Sequence, residues 1–221
     1  LGSTPEVRSA AHRHNCRIVC ADCNAEVFRG LRYMLDPDGP ETYIHTDWRD
    51  MAAVPEGIDL VIADGSLNML PTGDHQQILA EIHRLLRPDG LAVIRVHKRV
   101  PPRFSEPVAV FEWHRRHTPG EPVFTATRTF LDMLWAEPGS NMISFPEYHR
   151  KVEALYHQRL ITQDEYDAYA ELIRVNRIKL YYSDQAHFEH LVAAWFEIEE
   201  VRFGDDYSGF EAHPIYVLRN K

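Results

Sequence analysis

The 221-residue chain is long enough to bury a substantial core as one enzyme-sized unit, and 44% of its residues are apolar. Its formal net charge of −9 argues against nucleic acid and anionic membranes as partners, and it favours a small-molecule substrate. No apolar run approaches the about 20 residues of a membrane span, and the N-terminus lacks a signal-peptide pattern. We therefore expect a cytoplasmic protein.

Short β-rich runs alternate with helix-period segments over roughly residues 1–100. This alternation predicts an α/β fold with a doubly wound, mostly parallel sheet. The predicted strands are residues 17–21, 42–46, 58–63 and 91–96. Between them, Asn24 is expected to cap a helix whose apolar face holds Val27, Phe28, Leu31 and Leu35. A second helix, with an apolar stripe over residues 78–86, is expected to end at a turn formed by residues 87–90.

All three cysteines lie close together as Cys16, Cys20 and Cys23, with the C-x3-C-x2-C spacing of some iron–sulfur sites. Cys20 falls inside a predicted strand and Cys16 just before it, so no loop presents the thiols together. Asp22 would add an anion beside the thiolates. Buried or incidental thiols are therefore favoured, no metal site is assigned, and disulfides are not expected in a reducing compartment.

Ligand-type residues follow successive predicted strands. Asp22 stands at the carboxyl end of what would be the second strand of the sheet, where a carboxylate accepts hydrogen bonds from both ribose hydroxyls of a nucleoside. The alternative is that Asp22 only caps the next helix. Residues 47–49 (DWR) and 64–68 (DGSLN) follow the next two strands.

The chain opens on residues 1–6 (LGSTPE), which have the pattern of a strand-to-helix turn. Gly2 allows close approach of a ligand, Thr4 can cap a helix and Pro5 suits its first position. Ligands of open α/β sheets bind outside the carboxyl ends of the strands, so four such loops together predict a binding site there.

These motifs resemble those of the class I S-adenosylmethionine-dependent methyltransferases, in particular a bacterial group with LGxTPE, DWR and DGxLN motifs. Here they read LGSTPE, TDWRDM and ADGSLNML, and the passage RLLRPDGLAVIRVH follows. The resemblance covers roughly residues 1–100 and 184–221. It implies a Rossmann-like methyltransferase sheet and S-adenosyl-L-methionine as the cofactor.

The resemblance also implies which residues hold the cofactor. Gly2, Ser3 and Thr4 would lie along its methionine part, and Asp22, with Cys23 beside it, would hold the ribose. Asp47 and Trp48 would flank the adenine. The methionyl side, where transfer occurs, would be lined by Asp64, Gly65 and Ser66.

Two departures from the family pattern stand out. The usual E/DxGxGxG turn is reduced to a single glycine, Gly2. The sequence begins at the end of what would be the first strand, so we expect that strand to be missing from the sheet. The G-x-G-x-x-G turn of nicotinamide-binding domains is not at this position either.

The C-terminal part of the sequence supports the same architecture. Residues 185–196 read as a helix, and FEIEEVRF and HPIYVLRN are β-rich runs expected to pair as an antiparallel hairpin. The predicted organisation is a cofactor-binding core over residues 1–100, a helical cap for the substrate over 101–183, and a helix and hairpin over 184–221 that complete the core.

The predicted cap is rich in aromatic residues and histidines. Thr162 and Glu165 form a capping box for a helix with Tyr166, Tyr169 and Ile173 on one face, which we expect to be core. Further pocket candidates, with packing favoured for each, are Trp113, His114, His117, Trp135, Tyr148 and His149. The pairs His114/His117 and His187/His190 have zinc-compatible spacing without a third ligand nearby, so a solvated face is favoured.

The predicted activity is methyl transfer from S-adenosyl-L-methionine to a small-molecule acceptor. Positioning supplies most of the catalysis in such a reaction, and His97, just beyond the last core strand, is the candidate general base. A structural role for His97 is an equal alternative. Carboxylate, amine, hydroxyl and thiol acceptors stay open, as do a non-catalytic cofactor-binding regulatory subunit and a methyltransferase that modifies macromolecules through a basic groove.

Overall fold

The computed structural model describes residues 1–173, 177–205 and 207–221, and this part of the chain contains eight α-helices and eight β-strands. The helices are α1 Pro5–Arg13, α2 Ala25–Leu31, α3 His75–Leu85, α4 Pro107–His117, α5 Val123–Trp135, α6 Phe145–His157, α7 Gln163–Ile173 and α8 Gln185–Ala193. The strands are β1 Ile18–Asp22, β2 Glu41–His45, β3 Ile58–Asp64, β4 Leu86–Arg95, β5 Met142–Ser144, β6 Lys179–Tyr181, β7 Phe196–Arg202 and β8 Ile215–Asn220.

The strands form an α/β arrangement of the doubly wound, Rossmann-like type. β1 pairs in parallel with β2, and β3 pairs in parallel with β4. β8 lies antiparallel between β4 and β7, which confirms the predicted antiparallel pairing at the C-terminus. A separate antiparallel pair, β5 with β6, lies within residues 101–183, the segment that we call the insertion.

A gap separates β1 from β3, which are not hydrogen-bonded to each other. Their facing edges line a cavity of about 430 Å³, at the place where the sequence predicts a missing strand. At the carboxyl ends of the two strands, the backbone N–H of Gly2 donates to the Ala21 carbonyl at 3.1 Å. The backbone nitrogen of Leu1 donates to the Ile62 carbonyl. Residues 1 and 2 therefore bond to both sheets.

The predicted strands agree with β1 to β4 apart from the start of β4. This strand begins at Leu86, so the predicted turn at residues 87–90 lies within its bounds. The pairing partner of Ile58 is Leu86 whereas that of Leu60 is Leu91, and Asp89 has a φ of 60°. Residues 87–90 are therefore looped out of the ladder, in the way a β-bulge accommodates extra residues.

Helix α2 is shorter than its apolar pattern indicates. It ends at Leu31 and continues as a 3-10 turn over Arg32–Met34, so Leu35 lies outside it. Phe28 is buried but Val27 is 43% exposed, so only part of the predicted apolar face is buried. The buried Phe28 stacks on Tyr43 of β2, with 4.6 Å between the ring centroids, and this contact attaches the helix to the small β1–β2 sheet.

Two separate hydrophobic cores form around the sheet and in the insertion. The first packs α3 and α8 against β3, β4 and β8. The second joins α4 to α7 with β6 and includes Tyr148, Tyr169 and Tyr182.

The predicted capping box is confirmed, since the Thr162 N–H donates to Glu165 Oε2 at 2.8 Å and the Glu165 N–H donates to Thr162 Oγ1 at 3.3 Å. None of the helices in the described ranges has the length and apolar character that a bilayer span requires.

Candidate functional site

The loops that follow the strands meet at the carboxyl ends of β1 and β3. Gly2 has a φ of 88°, and a Cβ built on it would lie 3.5 Å from Ser66 Oγ and 3.9 Å from Trp48 Cζ2. Ser66 Oγ donates in turn to the Leu1 carbonyl at 2.9 Å. Three motifs that are far apart in sequence are thus brought together around one glycine, and a side chain there would fill the space between them.

Asp22 lies at the end of β1 and is 8% exposed. Its Oδ1 accepts from the Asn24 N–H at 2.9 Å, and its Oδ2 accepts from Ser3 Oγ at 3.3 Å. The N-cap of α2 is Asn24, whose side chain accepts from the Val27 N–H. The capping role considered for Asp22 is therefore filled by Asn24, and Asp22 joins the β1 loop to the Ser3 loop.

The other residues of these two loops are arranged around α1 and α2. Thr4 is the N-cap of α1 and Pro5 is at its start, as predicted, although the Thr4 side chain makes no capping hydrogen bond. Ser3 is buried, and its carbonyl accepts from Arg8 Nη1 at 3.4 Å. Cys23 is an exposed free thiol, and the buried Cys20 lies within β1.

The loop after β2 has its own ion pair. The Asp47 carboxylate accepts from Arg49 Nη2 at 2.6 Å and from Arg49 Nε at 3.0 Å, and these bonds hold the pKa of Asp47 below its usual value. Trp48 donates its indole N–H to the Ala21 carbonyl at 2.7 Å and packs against the first core. Trp48 is therefore fixed beside β1, whereas the Asp47 carboxylate is exposed and already paired.

The loop after β3 contacts the end of β4. Asp64 pairs with Arg95 across the two strands, with 2.5 Å between Oδ1 and Nε. Gly65 has a φ of 66°, and a Cβ built on it would lie 3.5 Å from His97 Nε2. The His97 imidazole therefore lies directly over the backbone of this glycine.

Asn68 is a residue of this loop that our sequence-based site assignment did not include. It is fully buried, accepts from the His97 N–H at 2.8 Å, and donates to the carbonyls of His97 at 3.0 Å and Tyr181 at 2.6 Å. Its amide thus fixes the loop, the end of β4 and the insertion in one arrangement. Its position in the ADGSLN motif was visible in the sequence, but its partners depend on tertiary contacts.

His97 lies in an environment that disfavours its charged form. Burial, followed by His213, Arg128 and Arg95, lowers the pKa of His97 well below its usual 6.5. The ring is therefore neutral at pH 7, which is the form that accepts a proton. Its Nδ1 has no hydrogen-bond partner among the residues that the structure describes.

These loops fit a bound nucleoside-type cofactor. Gly2 and Gly65 both have a positive φ, a conformation in which a residue with a side chain would be strained. Because neither residue has a Cβ, the backbone at both positions stays accessible to a ligand. Asp22 supplies a carboxylate at the strand end where ribose hydroxyls bind in open α/β sheets. Within the described ranges, no three His, Cys, Asp or Glu side chains come together as metal ligands.

Comparison with known proteins supports this interpretation. Residues 2–90 match the family described as "Methyltransferase domain". No curated protein sequence matches the chain. Among solved structures, the PH0226 protein from Pyrococcus horikoshii OT3 is similar with a TM-score of 0.59 and 14% identity, over 99% of this chain and 78% of that chain.

Two further structures share the fold. The N-methyltransferase NodS from Bradyrhizobium japonicum WM9, in complex with S-adenosyl-L-homocysteine, matches with a TM-score of 0.54 and 8% identity, over 99% of this chain and 74% of that chain. A Rhodobacter sphaeroides protein with a provisional name as a Zn-dependent alcohol dehydrogenase matches with a TM-score of 0.59 and 14% identity, over 99% of this chain and 81% of that chain. At these identities the likeness shows the fold alone.

Residues 2–90 thus match a methyltransferase domain, and the Rossmann-like fold of the chain is shared with solved methyltransferases. The match of residues 2–90 and the shared fold together support methyl transfer from S-adenosyl-L-methionine as the activity.

Proposed function

We propose that this protein transfers the methyl group of S-adenosyl-L-methionine to a small-molecule acceptor. The observation that carries the proposal is the position of His97, whose Nε2 lies over Gly65 in the cofactor loop while its ring contacts Tyr182 of the insertion. His97 thus contacts both the loop that we propose to lie beside the reactive methyl group and the insertion that we propose to cover the substrate. The motifs LGSTPE, DWR and DGSLN support membership of the bacterial group that shares them.

Each loop has a proposed role in holding the cofactor. Gly2, Ser3 and Thr4 lie along the methionine part, and Asp22 accepts from the ribose hydroxyls beside Cys23. Trp48 and Asp47 flank the adenine, with Arg49 orienting the Asp47 carboxylate. The loop formed by Asp64, Gly65 and Ser66 lines the methionyl side.

When bound, the cofactor supplies an electrophilic methyl group on a sulfonium sulfur, which keeps the electron pair of the broken S–C bond. The protein has to hold the acceptor in line with this methyl group at roughly 3 Å, so positioning is its main contribution. An acceptor that carries a proton loses it on methylation. His97, which is neutral at pH 7, is the proposed base, and its lowered pKa makes it a weak one.

A small acceptor is favoured over a macromolecule. The net charge of −9 gives no overall positive charge to neutralise a phosphate backbone, and α4 to α7 pack into a second core on the side of His97. We propose residues 101–183 as the substrate cap, residues 1–100 and 184–221 as the cofactor-binding core, and the cytoplasm as the place of action.

The proposal is tested by following methyl-labelled S-adenosyl-L-methionine in a cell extract supplemented with the purified protein. We expect the label to appear in the low-molecular-weight fraction. Label confined to protein or nucleic acid would indicate a macromolecular acceptor. Binding of S-adenosyl-L-homocysteine without any transfer would indicate a regulatory subunit. A heat-inactivated sample of the same protein is the control.

A further inference from the structure

A group of polar side chains lies where the insertion meets the end of β4. This seam cluster consists of His97, Arg128, Asp132, Tyr182 and His213. Arg128 and Asp132 are on α5, Tyr182 directly follows β6, and His213 precedes β8. The residues come from four separate parts of the sequence, and only His97 was a candidate before the fold was known.

The cluster is continuous with the cofactor loop. The His97 ring lies 4.4 Å from the His213 ring and 5.7 Å from the Tyr182 ring, measured between centroids. The Tyr182 hydroxyl donates to Asp132 Oδ2, and Arg128 Nε is 3.4 Å from the same oxygen. Since His97 Nε2 lies over Gly65, the contacts run from the methyl-donor side of the site to Asp132.

Two polar atoms of the seam cluster lack a partner among the residues that the structure describes, namely His97 Nδ1 and Asp132 Oδ1. Asp132 is only 1% exposed, and buried polar atoms in native proteins are almost always hydrogen-bonded. Both residues contact Tyr182, so the two atoms belong to the same small region. The Arg128 side chain is 28% exposed, and the cluster therefore reaches the surface on that side.

We propose that the seam cluster binds the methyl acceptor, and that the acceptor is a small molecule with an N–H or O–H nucleophile that donates to Asp132 Oδ1 when bound and gives up its proton to His97 as the methyl group is transferred. This inference rests on the proposed function and narrows its substrate class. Asp132 binds the acceptor directly, while Tyr182 and Arg128 act as positioning residues that hold the other carboxylate oxygen.

The charges of the seam cluster favour such an acceptor over a carboxylate. Burial raises the pKa of Asp132 above its usual value, and Arg128 and the hydroxyls of Tyr182 and Tyr148 oppose only part of this effect. Burial, followed by Arg128 and Arg95, lowers the pKa of His213 to about 3, and His97 is neutral as well. Arg128 is already paired with Asp132 and both histidines are neutral, so a carboxylate ligand would find no second positive charge in the seam cluster.

The first experiment offers the protein three sets of small probes with methyl-labelled S-adenosyl-L-methionine. The sets are primary and secondary amines, alcohols and phenols, and carboxylic acids of similar size. We expect transfer to members of the first two sets only. Transfer only to carboxylic acids, or to none of the probes by protein that binds S-adenosyl-L-homocysteine, would overturn the inference and leave the proposed function standing.

The second experiment measures the best probe with Asp132→Asn. We expect KM for the probe to rise about ten- to a hundredfold, because a hydrogen bond to a charged group is lost, while the Kd of S-adenosyl-L-homocysteine stays within about twofold. Tyr156→Phe is the matched control, since it removes a hydroxyl of the insertion that donates to Gln163 and not to the seam cluster. Its KM for the probe should equal that of the wild type.

A double variant, Asp132→Asn with Arg128→Gln, removes both charges together and is used if the single variant does not fold. An unchanged KM in the folded variant would show that Asp132 Oδ1 bonds water rather than the acceptor, and would overturn the inference. A protein that fails to bind S-adenosyl-L-homocysteine at all would instead contradict the proposed function.

Discussion

Asp22→Asn is expected to weaken the binding of S-adenosyl-L-homocysteine by tens- to hundredsfold while the apo protein keeps its melting temperature. The change removes an anionic acceptor for two ribose hydroxyls, a loss of about 2 to 4 kcal/mol. The fold should tolerate it, because an asparagine oxygen can still accept from the Asn24 N–H and its amide can donate to Ser3 Oγ. Isothermal titration and thermal melting of the same samples measure the two effects.

Asn24→Ala is the matched control for Asp22. It removes the side chain that caps α2 and should cost about 1 kcal/mol of stability, with little change in affinity for the nucleoside. The two variants therefore have opposite expected profiles. If Asp22→Asn binds the nucleoside as tightly as the wild type, Asp22 does not belong to the cofactor site.

Glu41→Gln should lower the free energy of unfolding by about 3 to 5 kcal/mol, because it leaves a buried arginine unpaired. The Glu41 side chain is fully buried and accepts from Arg8 Nε at 2.9 Å, with further bonds from Arg8 Nη2 and from His12 Nε2 at 3.2 Å. Arg8 also donates to the Ser3 carbonyl at 3.4 Å, so the same pair supports the cofactor loop. Denaturant unfolding of both proteins at pH 7 measures the difference.

The Glu41 pair also has an expected pH dependence. Burial alone would raise the pKa of Glu41, but the bonds and charge of Arg8 and His12 outweigh it and the pKa lies below its usual 4.5. The contribution of the Glu41 pair to the free energy of unfolding is therefore fully present above pH 4.5, and it is lost as the pH falls through the lowered pKa of Glu41. The wild type and Glu41→Gln should converge in acid.

Asp38→Asn serves as the control for Glu41. It breaks the pair of Asp38 with Arg32, whose side chains are about half exposed (50% and 49%), and should leave stability nearly unchanged because solvent screens the pair. An equal effect of the two substitutions on the free energy of unfolding at pH 7 would show that the buried pair stabilises the protein no more than the exposed pair does.

The strand-end loops could be predicted because the β-rich runs, and the polar or turn-forming residues that follow each of them, are local features of the sequence. Asp22 at the end of β1 and Gly65 after β3 fall where the pattern puts them. Val27 could not be placed, since its exposure depends on how much sheet α2 covers. The DWR motif does not by itself reveal that the Asp47 carboxylate is paired with Arg49.

The seam cluster could not be predicted from the sequence, for a different reason. Asp132 and Tyr182 are 50 positions apart, and their bond forms only because α5 packs beside β6 in the second core. Asn68 was visible in its motif, but its bond to the Tyr181 carbonyl joins residues 113 positions apart. Local patterns carry no information about such contacts, which arise from the packing of the insertion against β4.

The most direct test of the account is isothermal titration of S-adenosyl-L-homocysteine into the purified full-length protein, repeated in the presence of NADH. We expect saturable binding at one site and no displacement by NADH, because the Gly2 loop lacks the G-x-G-x-x-G turn that holds a dinucleotide pyrophosphate. The absence of detectable binding at millimolar nucleoside, or displacement by NADH at comparable concentration, would contradict the assignment of the strand-end loops as an S-adenosylmethionine site.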